Sequence, residues 1–144
     1  MPNRPLRILL IDDDPEDATL FSIALQSVDS TVVFTHAPNA EAGLSLLFAT
    51  QEIPDYIFLD INMPGMNGKE CLTEIKKLPL IKNVPVIMHS TSNYFQDIED
   101  TRALGASCYM TKPMMYTDLE DMIRFILCEQ HPAGVYMKQA LEVF

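Results

Sequence analysis

The stretch Tyr56-Ile57-Phe58-Leu59-Asp60-Ile61-Asn62-Met63-Pro64-Gly65 decides the fold. Apolar residues run unbroken into one acid, and a Pro/Gly turn follows at once. An apolar run bounded by turn signals predicts a buried strand. Burying an ionised carboxylate inside such a strand is costly. Asp60 is therefore expected at the strand's open carboxyl end, the edge where open α/β sheets bind ligands.

Upstream, Leu6 to Ile11 is a first strand, buried on both faces to judge by its continuous apolar character. It stops at Asp12-Asp13-Asp14. Asp14 caps a helix, Pro15 suits its first position, and Glu16 and Asp17 suit the positive end of the dipole. That helix runs to about Val28. A second strand is expected from Thr31 to His36 and a second helix from Ala40 to Ala49. Downstream, Asn67-Gly68 opens a third helix that ends near Leu78-Pro79. Further elements are a strand from Val84 to His89, a helix from Phe95 to Leu104 stopped by Gly105, and a strand from Ser107 to Thr111. A last helix spans Thr117 to Cys128. Five strands alternating with five helices imply right-handed crossovers and one doubly wound α/β sheet, five parallel strands covered on both faces. Residues 1–128 form this domain. Residues 129–144 fall outside the alternation, and an extra short helix is expected there.

The 144 residues suit a single core, and the 48% hydrophobic content suits a globular chain. No apolar run approaches the ~20 residues of a membrane span, and the triple acid cuts short any resemblance of the N-terminus to a signal peptide. Cys71, Cys108 and Cys128 are odd in number and lack metal-ligand spacing, so reduced cytoplasmic thiols are expected. A net charge of −10 argues against nucleic-acid binding.

In a parallel sheet all strand carboxyl ends share one side. Asp12, Asp13, Asp60, Ser90 and Lys112 each follow their own apolar run and should meet there. Crowded carboxylates repel one another, and a hard divalent cation such as Mg²⁺ relieves the repulsion. A metal beside a carboxylate, a hydroxyl and an ammonium makes a phosphate site. A carboxylate can itself attack phosphorus and form an acyl phosphate. No Gly-rich phosphate loop is present.

The motifs Ile8-Leu9-Leu10-Ile11-Asp12-Asp13, Leu59 to Gly68, Pro85 to Ser90, Gly105-Ala106 and Tyr109-Met110-Thr111-Lys112-Pro113 together resemble the CheY-like receiver domains of two-component response regulators, over residues 6 to 128. The resemblance implies strand order 2-1-3-4-5. It makes Asp60 the phosphoryl acceptor from a histidine kinase or histidine phosphotransfer protein. Asp13 becomes the direct Mg²⁺ ligand, Asp12 a ligand largely through water, and the Asn62 backbone carbonyl a further one. Ser90 is the switch hydroxyl, Lys112 the phosphoryl-pairing lysine, and Tyr109 the aromatic that turns inward when Ser90 moves. It also implies a cis Lys112–Pro113 bond, a downstream protein target, and a possible homodimer through the fourth helix, fifth strand and fifth helix. Thr91 replaces the smaller residue usual after the switch hydroxyl, and is expected to crowd the phosphoryl approach. His89 replaces an apolar residue, either as a hydrogen-bonded strand-end histidine or as a pH-sensitive neighbour of Ser90.

With nothing long enough for an output domain after residue 128, a stand-alone switch acting through a protein partner is expected. The rivals are a haloacid-dehalogenase-like phosphatase, for which Asp12-Asp13-Asp14 satisfies DxD, a flavodoxin-like cofactor binder, and a receiver-like adaptor that is never phosphorylated.

Overall fold

A computed structural model describes residues 4–127, 136–137 and 141–144. Its elements are β1 (Arg7–Ile11), α1 (Pro15–Val28), β2 (Val33–Ala37), α2 (Ala40–Ala49), β3 (Tyr56–Leu59), α3 (Gly68–Ile75), β4 (Val86–Ser90), α4 (Phe95–Ala103), β5 (Cys108–Thr111), α5 (Tyr116–Leu127), β6 (Tyr136–Met137) and β7 (Leu141–Val143). The sheet order is β2-β1-β3-β4-β5-β7-β6. The first five strands are parallel, as expected.

Side-chain alternation along the strands sorts the core into two layers. Leu9, Ile11, Ile57, Leu59, Val86 and Met88 point to α2 and α3, meeting Leu47, Cys71, Leu72 and Ile75. Ile8, Leu10, Phe58, Ile87 and Met110 point to α1 and α5, meeting Phe21, Leu25, Met122 and Ile123. β1, β3 and β4 are buried almost throughout, while the edge strand β2 alternates between exposed and half-buried residues.

Local chemistry sets the element ends. The Asp14 carboxylate accepts the amides of Glu16 and Asp17, and Asn39 accepts that of Ala42. Asn67 and Glu70 form a reciprocal capping box on α3. Gly105, at φ +104°, follows α4 in the left-handed region. β2 starts later than the Thr31 expected, because Asp29 draws the amide and hydroxyl of Thr31 into a turn. β4 is displaced to Val86–Ser90, so Ser90 is its last residue.

Two expectations meet a different outcome. Within residues 129–144, where a short extra helix is expected, residues 136–137 and 141–143 are strands, and the other residues before 141 lie outside the described residues. β7 runs antiparallel to β5, pairing Cys108 with Val143, Tyr109 with Glu142 and Met110 with Leu141. Leu141 and Val143 alternate with Glu142, a period of two that buries both apolar side chains and satisfies the otherwise open edge of β5. The Lys112–Pro113 bond is also not cis: no cis peptide occurs among the described residues. Trans is the lower-energy isomer even before proline. Cys71 and Cys108 are buried free thiols, pushed up by burial to about 12 and about 11 respectively. Cys128 lies outside the described residues.

Candidate functional site

Backbone pairing brings the strand ends together. The Asp12 amide donates to the Ala37 carbonyl at 3.1 Å and the Asp60 amide to the Ile11 carbonyl at 3.0 Å. On the other side, the Lys112 amide donates to the Ser90 carbonyl at 2.7 Å. Asp12, Asp13, Asp60, Ser90 and Lys112 thus share the carboxyl edge of the sheet. The turn after Asp60 is closed by the Gly68 amide on the Ile61 carbonyl at 2.8 Å. A Cβ at Gly68 would lie 2.1 Å from the Asp60 carbonyl oxygen, so only glycine lets α3 start this close to the site.

One carboxylate oxygen from each of Asp12, Asp13 and Asp60 can be chosen so that all three lie within 4.8 Å of one another. Asp12 and Asp60 are buried and Asp13 is exposed. Three hard oxygen donors open to solvent on one side fit a small divalent cation. The Lys112 ammonium lies 2.9 Å from Asp12 Oδ2 and 3.3 Å from Asp60 Oδ2. Its shortest ion pair is with Asp17, at 2.8 Å. The Asn62 amide reaches Asp60 Oδ1 at 3.3 Å. Burial is the largest influence on Asp60 and raises its carboxyl; the nearby Asp12 adds to this, Lys112 and the Asn62 amide oppose it, and the result is about 6. Burial pulls the Lys112 ammonium down, but the bonds and charges of Asp17, Asp60 and Asp12 outweigh it and raise its pKa.

Ser90 is fully buried, and its Oγ accepts the Ser92 amide at 3.2 Å. Tyr109 is turned inward: 1% exposed, it donates its hydroxyl to the Ser92 carbonyl at 2.7 Å. Thr91 is exposed. His89 is buried against Phe21, with ring centroids 5.4 Å apart. Its Nδ1 finds no hydrogen-bond partner among the described residues and stands 4.0 Å from Asp12 Oδ2. Burial, reinforced by Lys112, lowers its pKa to about 3. That direction favours the neutral imidazole.

Sequence reasoning placed Asp17 only in the dipole of α1. Its position in the helix's first turn, three residues past the Asp14 cap, was the available signal that it could face Lys112.

A parallel, doubly wound sheet with clustered acids and a lysine at its carboxyl edge defines a class of α/β domain that handles charged ligands at that edge. Within it, residues 8–124 match the response regulator receiver domain, and the chain belongs to that family. It is 30% identical over 131 residues to response regulator Rcp1 of Synechocystis sp., covering 86% of this chain and 88% of Rcp1. It is 36% identical over 115 residues to the nitrate/nitrite response regulator NarL of Escherichia coli, covering 80% of this chain but only 51% of NarL, so the chain spans about half of that relative. The structure of the phosphorylated cyanobacterial phytochrome response regulator RcpA superposes with a TM-score of 0.78 at 30% identity, covering 85% of this chain and 91% of RcpA. The Mn²⁺-bound form of Rcp1 gives 0.74 at 29%, covering 90% of this chain and all (100%) of that one. Family membership decides for the receiver over the phosphatase and the flavodoxin-like alternatives. Among the described residues, no helix is long and apolar enough to cross a membrane.

Proposed function

We propose that this receiver takes a phosphoryl group on Asp60 from a phosphohistidine of a histidine kinase or phosphotransfer protein, and passes the change to a downstream protein. The supporting observation is the meeting of Asp12, Asp13, Asp60 and Lys112 at one edge, with the Lys112 ammonium 3.3 Å from Asp60.

An Asp60 carboxylate oxygen attacks phosphorus, the new O–P bond replaces the donor's N–P bond, and the imidazole leaves. Lys112 shifts from Asp17 and Asp12 toward the incoming oxygens and offsets their charge. The Ser90 hydroxyl donates to another phosphoryl oxygen. Asp12, Asp13, Asp60 and the Asn62 carbonyl are the residues to hold Mg²⁺, which would supply compensation for the charge gathered on phosphorus and the carboxylates. The inward Tyr109, bonded to the loop after Ser90, links that event to the face formed by α4, β5 and α5. A homodimer through this face would close over β7, which covers the outer edge of β5.

The test is labelling by acetyl phosphate or a phosphohistidine donor. The expected label requires Mg²⁺, is released by hydroxylamine as an acyl phosphate is, and is lost in Asp60→Asn. A label that survives that substitution reassigns the acceptor. No label on wild-type protein from either donor favours the adaptor that is never phosphorylated.

A further inference from the structure

α4 is held differently from the other helices. It buries one residue, Thr101, and among the described residues no side chain caps its N-terminus at Tyr94. Ile98 and Leu104 are only partly buried against the core. Apolar burial therefore anchors α4 weakly, and its placement falls to polar contacts.

Those contacts form an unbroken chain. On α3, the Lys69 ammonium lies 2.7 Å from Asp97 Oδ1 and 2.8 Å from Asp100 Oδ2, both on α4. The other Asp97 oxygen, Oδ2, accepts a hydrogen bond from the Ser92 hydroxyl. The Ser92 amide donates to Ser90 Oγ at 3.2 Å, and the Ser92 carbonyl accepts the Tyr109 hydroxyl at 2.7 Å. Lys69 and Asp97 are largely shielded, with side chains 27% and 20% exposed, so solvent screens this contact less than an open surface pair. One lysine on α3 is thus tied through two side chains to both the switch hydroxyl and the switch aromatic.

We propose that Lys69 is a positioning residue for the switch: by gripping Asp97 and Asp100 it fixes α4 and, through Asp97 and Ser92, holds Tyr109 in its inward position. The phosphoryl part of this inference rests on the receiver function proposed above. Because Ser92 is shared by Ser90 and Tyr109, loosening it weakens the inward Tyr109 state and every ligand that prefers that state. The ion pairs of Lys69 are with Asp97 and Asp100, not with Asp60, so its effect on phosphoryl binding is indirect.

The experiment uses the full chain carrying 3-fluorotyrosine, with the Tyr109 fluorine resonance assigned by Tyr109→Phe. Lys69→Met keeps the aliphatic stem and removes the charge. Without any phosphodonor, its Tyr109 resonance is expected to move toward that of a solvent-exposed tyrosine. With Mg²⁺, its affinity for beryllofluoride, an acyl-phosphate mimic, is expected to fall about 5-fold or more, the low end of typical couplings between sites. Lys69→Arg, which can span the same two carboxylates, restores both readouts. Lys77→Met, which removes a lysine paired locally with Glu74, changes neither. If Lys69→Met fails to fold, Asp97→Asn supplies the same two readouts with side-chain size kept. An unmoved Tyr109 resonance overturns the proposal, and so does a moved resonance with unchanged beryllofluoride affinity. Wild-type protein that binds no beryllofluoride strikes instead at the receiver function, and the fluorine readout still tests Lys69 without it.

Discussion

Two aspartates flank β3, and their surroundings have opposite effects. Asp55, just before the strand, is gripped by a two-pronged Arg4 contact at 2.8 and 2.9 Å and by the Arg7 amide at 2.8 Å. Burial pushes its carboxyl up, but the Arg4 and Arg7 contacts outweigh that and hold it below the ordinary range. Asp60, just after the strand, has contacts of 3.3 Å from Lys112 and 3.3 Å from Asn62, beyond the ~2.7–3.2 Å of well-made bonds. Deeper burial and the neighbouring Asp12 bring it to about 6. A carboxylate whose lone pairs are saturated is a staple. One close to a single cation and under-bonded has an oxygen left to offer a metal or, in the function proposed, a phosphorus.

The sharpest test of that difference is chemical. Asp60→Asn should reduce phosphoryl labelling to background, whereas Asp55→Asn should leave it within the range of wild type. Labelling lost equally in both would erase the distinction.

Stability should separate the pair next, with opposite pH profiles. Asp60 has a folded pKa raised from 3.8 to about 6, so its contribution is fully favourable below 3.8 and is lost as pH rises through 6. In metal-free protein, denaturant unfolding of Asp60→Asn against wild type should show the variant gaining as pH rises from about 4 to 7, by up to ~3 kcal/mol. Added Mg²⁺ should stabilise wild type and narrow the gap. Asp55 is the reverse case: its folded pKa is depressed, so its stabilisation is present above 3.8 and lost as pH falls through the folded value. Asp55→Asn should cost about 2 kcal/mol at pH 7, as for hydrogen bonds to a charged group, and less in acid.

The smallest effect concerns Asp17. Its pairing with Lys112 is partly exposed on the Asp17 side, so Asp17→Asn should cost no more than about 1 kcal/mol. With Lys112 freed to lean on Asp60, the Asp60 carboxyl should titrate lower, which a carbon-13 NMR titration of the aspartate side chains would register. An upward shift would show that Asp17 aims the lysine rather than restrains it.

The edge acids and four of the parallel strands were legible because β1, β3, β4 and β5 are nearly continuous apolar runs that end at or just before a polar residue; β2 was read instead from its β-branched and aromatic residues. Burial and site position are then written in the same few letters, as in Leu59-Asp60 or Ile11-Asp12. β7 was not legible. Three residues of alternating polarity mean little until β5 offers them an open edge, and that edge is a product of tertiary folding. Asp17 was half legible: its place at the helix start was clear, but its reach to Lys112 depends on how α1 is rotated over the sheet. The Asp55 staple was hidden for the same reason, since Arg4 and Arg7 become its neighbours only when β1 lies beside β3. Lys69 carries no local signal, because its partners lie on another helix.

The antiparallel hydrogen bonds between β7 and β5 have one more consequence. The Phe144 amide is fastened to the Ser107 carbonyl at 2.9 Å, and Glu142 sits opposite Tyr109. Anything joined after Phe144, by nature or by an engineer, leaves the molecule alongside the strand that bears the buried Tyr109. Mechanical tension or a bulky cargo at that point would be felt within one interstrand spacing, about 4.8 Å, making this tether a convenient place to attach an optical reporter or a load.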